Sequence, residues 1–248
     1  MKNPTQVAGS EGKASAYSYV GNELCLFANA TNWKNYVGRK LRPYMAGSVI
    51  EVGAGFGGST NYLFDPNYDR WLCLDPDPVH VSHLKDLIAV GKLPPSCEAR
   101  CGVLADLASD EYADTIIYID VLEHIENDEG EMRVAADHLA AGGRIVMLSP
   151  ALNFLYSPFD AAIGHYRRYA PKDAKRLTVP PLSLERCFFL DSLGYFLSAF
   201  NRVVMRTAQP SIHQIQFWDK AIVPVSGVTD QIFGSLFGRS VVMIWHKT

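Results

Sequence analysis

The 248-residue chain has few cysteines, no block of like charge and no long apolar run. Its five cysteines, Cys25, Cys73, Cys97, Cys101 and Cys187, contain no C-x-x-C pair, which argues against a zinc site. Their odd number and scatter through apolar segments argue against a disulfide framework and fit a reducing compartment, where buried cysteine packs as a small hydrophobe. Lys and Arg number 23 against 26 Asp and Glu, a net charge of −3. With no cluster of five or six like charges, no field is offered to a phosphate backbone, and no nucleic-acid partner is expected. Residues 1–13 lack the apolar centre of a signal peptide, and nowhere do about 18 uninterrupted apolar residues occur. The expectation is a soluble, cytoplasmic protein without a membrane span.

What is present is enough apolar material, 48% of the residues, for one large α/β core. Short apolar runs that read as buried strands recur at Ser48–Val52, Arg70–Leu74, Glu98–Leu104, Thr115–Ile119, Arg144–Ser149, Leu184–Leu190 and Ser240–Trp245. Helix-like spacing lies between them at Gly58–Phe64, at Val79–Val90 behind the prolines of Asp75-Pro76-Asp77-Pro78, and from about Glu126 to Ala140, ending at Gly142-Gly143. Ahead of the first strand, Leu24, Phe27, Ala28, Trp33, Tyr36, Val37 and Leu41 predict one or two helices. The stretch Pro150–Pro171 reads as too irregular for core. Residues 191–239 form an aromatic insert interrupted by Pro210 and Pro224. Alternating strands and helices predict right-handed crossovers, a mostly parallel sheet covered on both faces, and a ligand site at the carboxyl ends of the strands. The last two strands lack that alternation, which leaves an antiparallel arrangement open for them.

The strongest local signal is Glu51-Val52-Gly53-Ala54-Gly55-Phe56-Gly57, a glycine turn between strand and helix. Gly53, Gly55 and Gly57 allow a sharp turn and let backbone amides approach a ligand. Gly53 to Gly58 also satisfies G-x-G-x-x-G, and Asp75 stands where a ribose-binding acid would, so a dinucleotide fits the same loop. Glu51 separates the two cofactors: a carboxylate at the strand end repels a pyrophosphate but attracts ammonium and sulfonium charge.

The segment Glu51–Gly57 is similar to motif I of class I S-adenosylmethionine-dependent methyltransferases, and Asp75 resembles their ribose-binding acid. Gly102-Val103-Leu104-Ala105-Asp106-Leu107 resembles their adenine-binding turn. Asp120-Val121-Leu122-Glu123-His124 and Leu139–Arg144 resemble the motifs after strand 4 and before strand 5. The likeness covers roughly residues 48 to 150. Phe27–Lys34 and Gly164-His165-Tyr166-Arg167-Arg168-Tyr169 more loosely resemble bacterial members associated with glycan or glycolipid pathways. The resemblance implies a Rossmann-like, seven-stranded, mostly parallel sheet with helices on both faces and an antiparallel last strand. It divides the chain into an N-terminal tail and helical lid (1–46) and a methyltransferase domain (47–248) with inserts at 150–182 and 191–239. The implied cofactor is S-adenosyl-L-methionine, leaving as S-adenosyl-L-homocysteine, held by Glu51, Gly53, Ala54, Gly55, Gly57, Asp75, Pro76, Leu104, Asp120 and Val121.

Methyl transfer displaces sulfur from an already activated carbon, so the protein mainly aligns the partners and, for a hydroxyl acceptor, removes a proton. Asp120, His124 and His165 are the candidates for that chemistry, the histidines because imidazole titrates near neutrality. Asp120, Glu123 and His124, spaced D-x-x-E-H, resemble the E-x-x-E-H that holds magnesium in quinone-precursor O-methyltransferases. Capping of the following helix is the simpler use of Glu123 and His124, and no metal is favoured. Arg167 and Arg168 suit an anionic group on a small-molecule or glycan-type acceptor. Tyr17, Trp33, Tyr36 and Tyr166 suit its rings or faces. The aromatic insert suits an apolar acceptor, a second subunit as a homodimer contact, or plain packing. O-methylation of a hydroxyl is the leading expectation. A nicotinamide-dependent oxidoreductase and a non-catalytic cofactor-binding protein presenting its insert to a partner stay open beside it.

Overall fold

The run Ser-Val-Ile-Glu-Val becomes strand β1 (Ser48–Val52), apolar on both faces because both faces are covered. The computed structural model describes residues 29–200, 211–233 and 236–248. Beyond β1, its sheet comprises β2 (Arg70–Asp75), β3 (Cys97–Cys101), β4 (Ala113–Ile119), β5 (Leu139–Pro150), β6 (Leu182–Leu190) and β7 (Ser240–Lys247). The spatial order is β3-β2-β1-β4-β5-β7-β6. Pairs from β3 through β5 are parallel, whereas β7 lies antiparallel between β5 and β6. The chain reverses direction outward from β1 to β2 on one side and to β4 on the other. A crevice therefore opens at the carboxyl ends of β1 and β4.

The period of two along each strand sorts the core into two layers. Ile50, Val52, Leu72, Leu74, Ile116, Tyr118, Ile145 and Met147 face α4 (Asp128–Asp137) and α6 (Ala174–Leu177). Val49, Trp71, Cys73, Ile117, Val146 and Leu148 face α1 (Thr31–Leu41) and α3 (Pro78–Ala89). Two short helices complete the cleft side, α2 (Thr60–Leu63) after the glycine turn and α5 (Pro158–Ala162) in the stretch after β5.

Several boundaries differ from those the sequence predicts. The third strand stops at Cys101, because Leu104–Asp106 turn as a 3-10 segment in which Asp106 Oδ2 accepts from the Val103 amide at 2.9 Å. Helix α4 ends at Asp137, and Gly142-Gly143 belong to the start of β5, where Gly142 takes φ +76 beside an irregularity in the β4–β5 register. The stretch 150–171 is not excluded from the core: Ala151 and Tyr169 are fully buried and linked as a parallel bridge.

The insert before β7 is helical: α7 (Ser192–Phe200), α8 (Ile212–Phe217), a π-helical turn over Trp218–Ile222, and α9 (Val223–Phe233). Two buried acids fasten α1 to it, and a third braces the insert itself. Asp219 accepts from the Trp33 amide at 2.9 Å and from the Asn32 amide at 3.3 Å, taking up unpaired N–H groups in the first turn of α1. Asp230 accepts from the Tyr36 hydroxyl at 2.6 Å and from the amides of Asp191 and Ser192 at 2.6 and 2.8 Å. Asp191 in turn accepts from Trp218 Nε1 at 2.7 Å and Ser226 Oγ at 2.7 Å. No helix among the described residues is long and apolar enough to cross a membrane.

Removing the phenol oxygen with Tyr36→Phe should lower stability by about 1–2 kcal/mol, since a charge-assisted bond to a buried carboxylate is lost. Urea denaturation measures it; an unchanged midpoint would mean that the helix is held by apolar packing alone.

Candidate active site

The crevice is a single cleft of about 1400 Å³ running from the glycine turn to the helical insert. At its head, Gly53, Gly55 and Gly57 have φ of +65, +55 and +74, the left-handed region open to glycine. Gly53 has a second reason to be glycine. A Cβ there would stand 2.7 Å from Val121 Cγ2, so the turn can pass under the segment after β4 only without a side chain. Gly53, Ala54 and Gly55 line the cleft, but Gly57 packs away from it, against Leu84 and Leu93.

Asp75 closes β2 on the cleft wall. Its Oδ2 accepts from the Gly55 amide at 2.8 Å, and Oδ1 accepts from the Asp77 amide at 2.9 Å and lies 3.1 Å from His80 Nδ1. This acid therefore shapes the glycine turn as well as facing the cleft. Pro76, Gly102 and Val103 continue the wall. Leu104 does not, being fully buried in the core, so the contact expected of it falls to Val103 one residue earlier.

Glu51 has no direct charge contact with the cleft. It is 2% exposed, and its Oε2 accepts from Thr60 Oγ1 at 2.6 Å and Trp71 Nε1 at 2.9 Å. Burial pushes its pKa up to about 7, Asp75 adds to the rise, and the two donors oppose it. Its place is behind the turn, tying β1 to α2 and β2.

The chemically dense end lies after β4. Asp120 has φ +54, a strained backbone for a residue with a side chain, and turns its carboxylate into the cleft. Although Asp120 is open to the cleft, the low-polarity surroundings of the cleft wall raise its pKa to about 6, against the opposing charges of His165 when protonated, Arg239 and Arg168. Glu123 is fully buried. Its Oε2 accepts from Ser149 Oγ at 2.9 Å, while Oε1 has no hydrogen-bond partner and lies 3.9 Å from His165 Nε2. Burial and the neighbouring Asp120 push the Glu123 pKa well above the carboxylate range. The His124 ring meets the His165 ring edge to face at 4.6 Å and bonds the Gly164 backbone. Burial and the His165 charge lower its pKa to about 4.

The loop carrying His165 is stitched to the turn after β4, the Tyr166 amide donating to the Glu123 carbonyl at 2.8 Å. Asp160 is the residue that residue-by-residue reading missed. It lies on the cleft wall, 1% exposed, and Arg168 donates to both its oxygens at 2.8 and 2.9 Å. Ser157 donates to it through N and Oγ, at 2.8 and 2.7 Å. Although burial alone would raise its pKa, the bonds from His165, Arg168 and Ser157 outweigh burial and hold it below the usual carboxylate range. An ionised carboxylate only accepts, so at 3.0 Å His165 Nδ1 is the donor, and Nε2 of the neutral ring keeps its lone pair on the side of Glu123. The signal was present in Ser157-Pro-Phe-Asp160, a capping box at the start of α5.

Of the remaining candidates, Trp33, Val121, Tyr166 and Arg168 line the cleft. The Arg168 guanidinium is taken up by Asp160. Tyr36 is 3% exposed and bound to Asp230, and Arg167 bonds Asp128 at 2.6 Å and the Glu126 carbonyl at 2.7 Å, so neither is on the wall. Tyr17 lies outside the described residues. A metal set of Asp120, Glu123 and His124 is not what the fold assembles. The ligand atoms that lie within 4.8 Å of one another belong to Glu123, His124 and His165. Trp218, one of the aromatics of the insert, and Arg239, which no sequence signal marks, also line the cleft, joined by a guanidinium 4.5 Å over the indole.

Residues 50–147 match the methyltransferase domain family. No curated protein matches the chain. Among solved structures, a S-adenosylmethionine-dependent methyltransferase from Clostridium acetobutylicum is similar at TM-score 0.55 and 10% identity, covering 88% of this chain and 92% of that one. The [4+2]-cyclase SpnF aligns at TM-score 0.61 and 12% identity over 92% of this chain and 94% of its own. Coclaurine N-methyltransferase, solved with N-methylheliamine and SAH, aligns at 0.58 and 12% over 88% and 72%. These neighbours share the fold and differ in reaction, so what this chain does must be argued from its own side chains.

Gly53→Ala should destabilise the chain by about 1–2 kcal/mol from its left-handed backbone, with the Val121 clash in addition. Adding Val121→Ala should recover part of that loss. A double-mutant cycle by urea denaturation measures the coupling, and strictly additive effects would remove the steric account.

Proposed function

We propose that residues 50–147, which match the methyltransferase domain family, form a class I S-adenosylmethionine-dependent methyltransferase domain, and that the chain methylates a hydroxyl oxygen, with His165 Nε2 accepting the proton. The observation that carries this is the Asp160–His165 pair on the cleft wall, in which an ionised acid fixes one ring nitrogen as donor and leaves the other, on the side of Glu123, as a base. The acceptor oxygen attacks the methyl carbon, the carbon–sulfur bond breaks with its electrons going to sulfur, and the hydroxyl proton passes to Nε2. S-adenosyl-L-homocysteine and a methyl ether leave.

Gly53, Ala54, Gly55, Pro76 and Val121, which line the cleft beside the turn, would hold the donor. Asp75 keeps accepting capacity on Oδ2 for a ribose hydroxyl, having one donor there against two neighbours at Oδ1. With a pKa near 6, Asp120 is mostly ionised at neutral pH and favours sulfonium charge. The acceptor is a small-molecule or glycan-linked hydroxyl compound, directed to His165 with Tyr166 and Arg168 beside it.

A second reading has its own observation. Glu123, His124 and His165 converge closely enough to hold a cation, with Asp160 and the Gly164 backbone orienting the two rings from behind. Two imidazoles suit a transition ion better than magnesium. In that case the cation, not His165, would polarise the hydroxyl.

Calorimetry should detect S-adenosyl-L-homocysteine and not NAD; heat from NAD alone would overturn the methyltransferase assignment. With the best acceptor of a hydroxylated panel, His165→Ala should slow turnover by about 10²–10⁴-fold while leaving donor affinity unchanged. Asp160→Asn should slow it less and shift its pH profile. Turnover equal to wild type removes His165 from the reaction. Chelator-sensitive activity restored by a divalent ion supports the cation instead.

A further inference from the structure

More than half of the large apolar side chains exposed among the described residues fall in the insert before β7. Three of them, Leu197 and Phe200 on α7 and Phe217 on α8, are 43%, 55% and 60% exposed and line the same cleft as His165. Helices α7, α8 and α9 carry no Lys or Arg, and their single acid, Asp230, is buried against Tyr36. Among the described residues, the helices of this flank therefore present apolar side chains to the cleft and no basic group of their own.

The cleft is also too large for the donor alone. Single small-molecule sites occupy about 300–1,000 Å³, against about 1400 Å³ here. The volume beyond the glycine turn and Asp75 is divided between two kinds of wall. One is polar: Asp120, His165 and Arg168. The other is the apolar flank of the insert. Trp218 and Arg239 join them, the indole packing with the guanidinium whose charge acts on Asp120.

We infer that the acceptor is an amphiphile, a hydroxyl-bearing head at His165 carrying a long hydrocarbon chain that lies along Leu197, Phe200 and Phe217. This rests on the methyltransferase reading above and names the class of its substrate. A water-soluble acceptor would leave this flank wet and gain nothing from it, whereas each buried CH2 contributes about 0.8 kcal/mol.

The test uses the full chain saturated with S-adenosyl-L-homocysteine and a series of n-alkyl glucosides from hexyl to dodecyl, each below its micelle concentration. Binding is read by calorimetry. Affinity should rise about threefold to fourfold per added CH2. In Leu197→Ser/Phe217→Ser the rise should flatten while the affinity for S-adenosyl-L-homocysteine stays as in wild type, which also shows that the variant is folded; Phe217→Leu should keep the slope. Affinity independent of chain length, or the same slope in the double variant, overturns the inference. So does a flank buried in a dimer by sedimentation with no glucoside binding, or binding only to phosphatidylcholine vesicles. Loss of S-adenosyl-L-homocysteine binding by the wild type would instead sink the methyltransferase reading itself.

Discussion

A carboxyl group taken out of water must be protonated, surrounded by donors or paired with a cation, and this chain carries an acid at or near the end of three adjacent parallel strands. The three are handled differently, and the cleft is the result. Glu51 is given two donors and a raised pKa, and becomes a brace behind the glycine turn. Asp75 is ringed by the Gly55 and Asp77 amides and His80, which makes the shape of the turn depend on it. Beyond β4, Asp120 and Glu123 are crowded together with one Glu123 oxygen left without a donor. Unresolved polarity of that kind persists where it is used.

Asp160 does the opposite job. Its two oxygens collect Arg168, Ser157 and His165, so a negative charge is fully satisfied one layer behind the reacting end. The consequence is orientational: the histidine ring cannot turn without breaking a bond to an ionised group. Arg168, whose charge looks available for an acceptor in the sequence, is consumed in holding this arrangement. The loop gains its rigidity from the same bonds that the segment 150–171 seems, as a sequence, to lack.

The insert and α1 form a second structure tied together by acids. Asp191, Asp219 and Asp230 add directed bonds to amides, an indole and a phenol to the apolar contact that Val37, Leu41, Ile215, Trp218 and Val223 make with the sheet. Their aromatic neighbours Trp33 and Trp218 are thereby positioned on the cleft wall, while the outward apolar side chains of α7 and α8 stay uncovered.

The strand-turn-helix order, the seven strands and the glycine turn were legible because they rest on local rules: periodicity, φ preference and the length of apolar runs. So were Gly53, Gly55, Asp75 and Asp120 as residues at strand ends, since topology alone sends strand ends to the crevice. Which of the nearby residues reach it was not legible. Leu104 and Val103, or Arg167 and Arg168, are neighbours in sequence and differ by a half-turn of backbone that only packing sets. The 41-position separation of His124 and His165, and the far longer reach from Asp120 to Arg239, are bridged by the sheet order β4-β5-β7. The sequence by itself determined that this chain would build a nucleotide-type crevice at the ends of β1 and β4. The tertiary structure decided what faces it, because a buried carboxylate takes its partner from whatever segment the fold brings within 3 Å, at any distance along the chain.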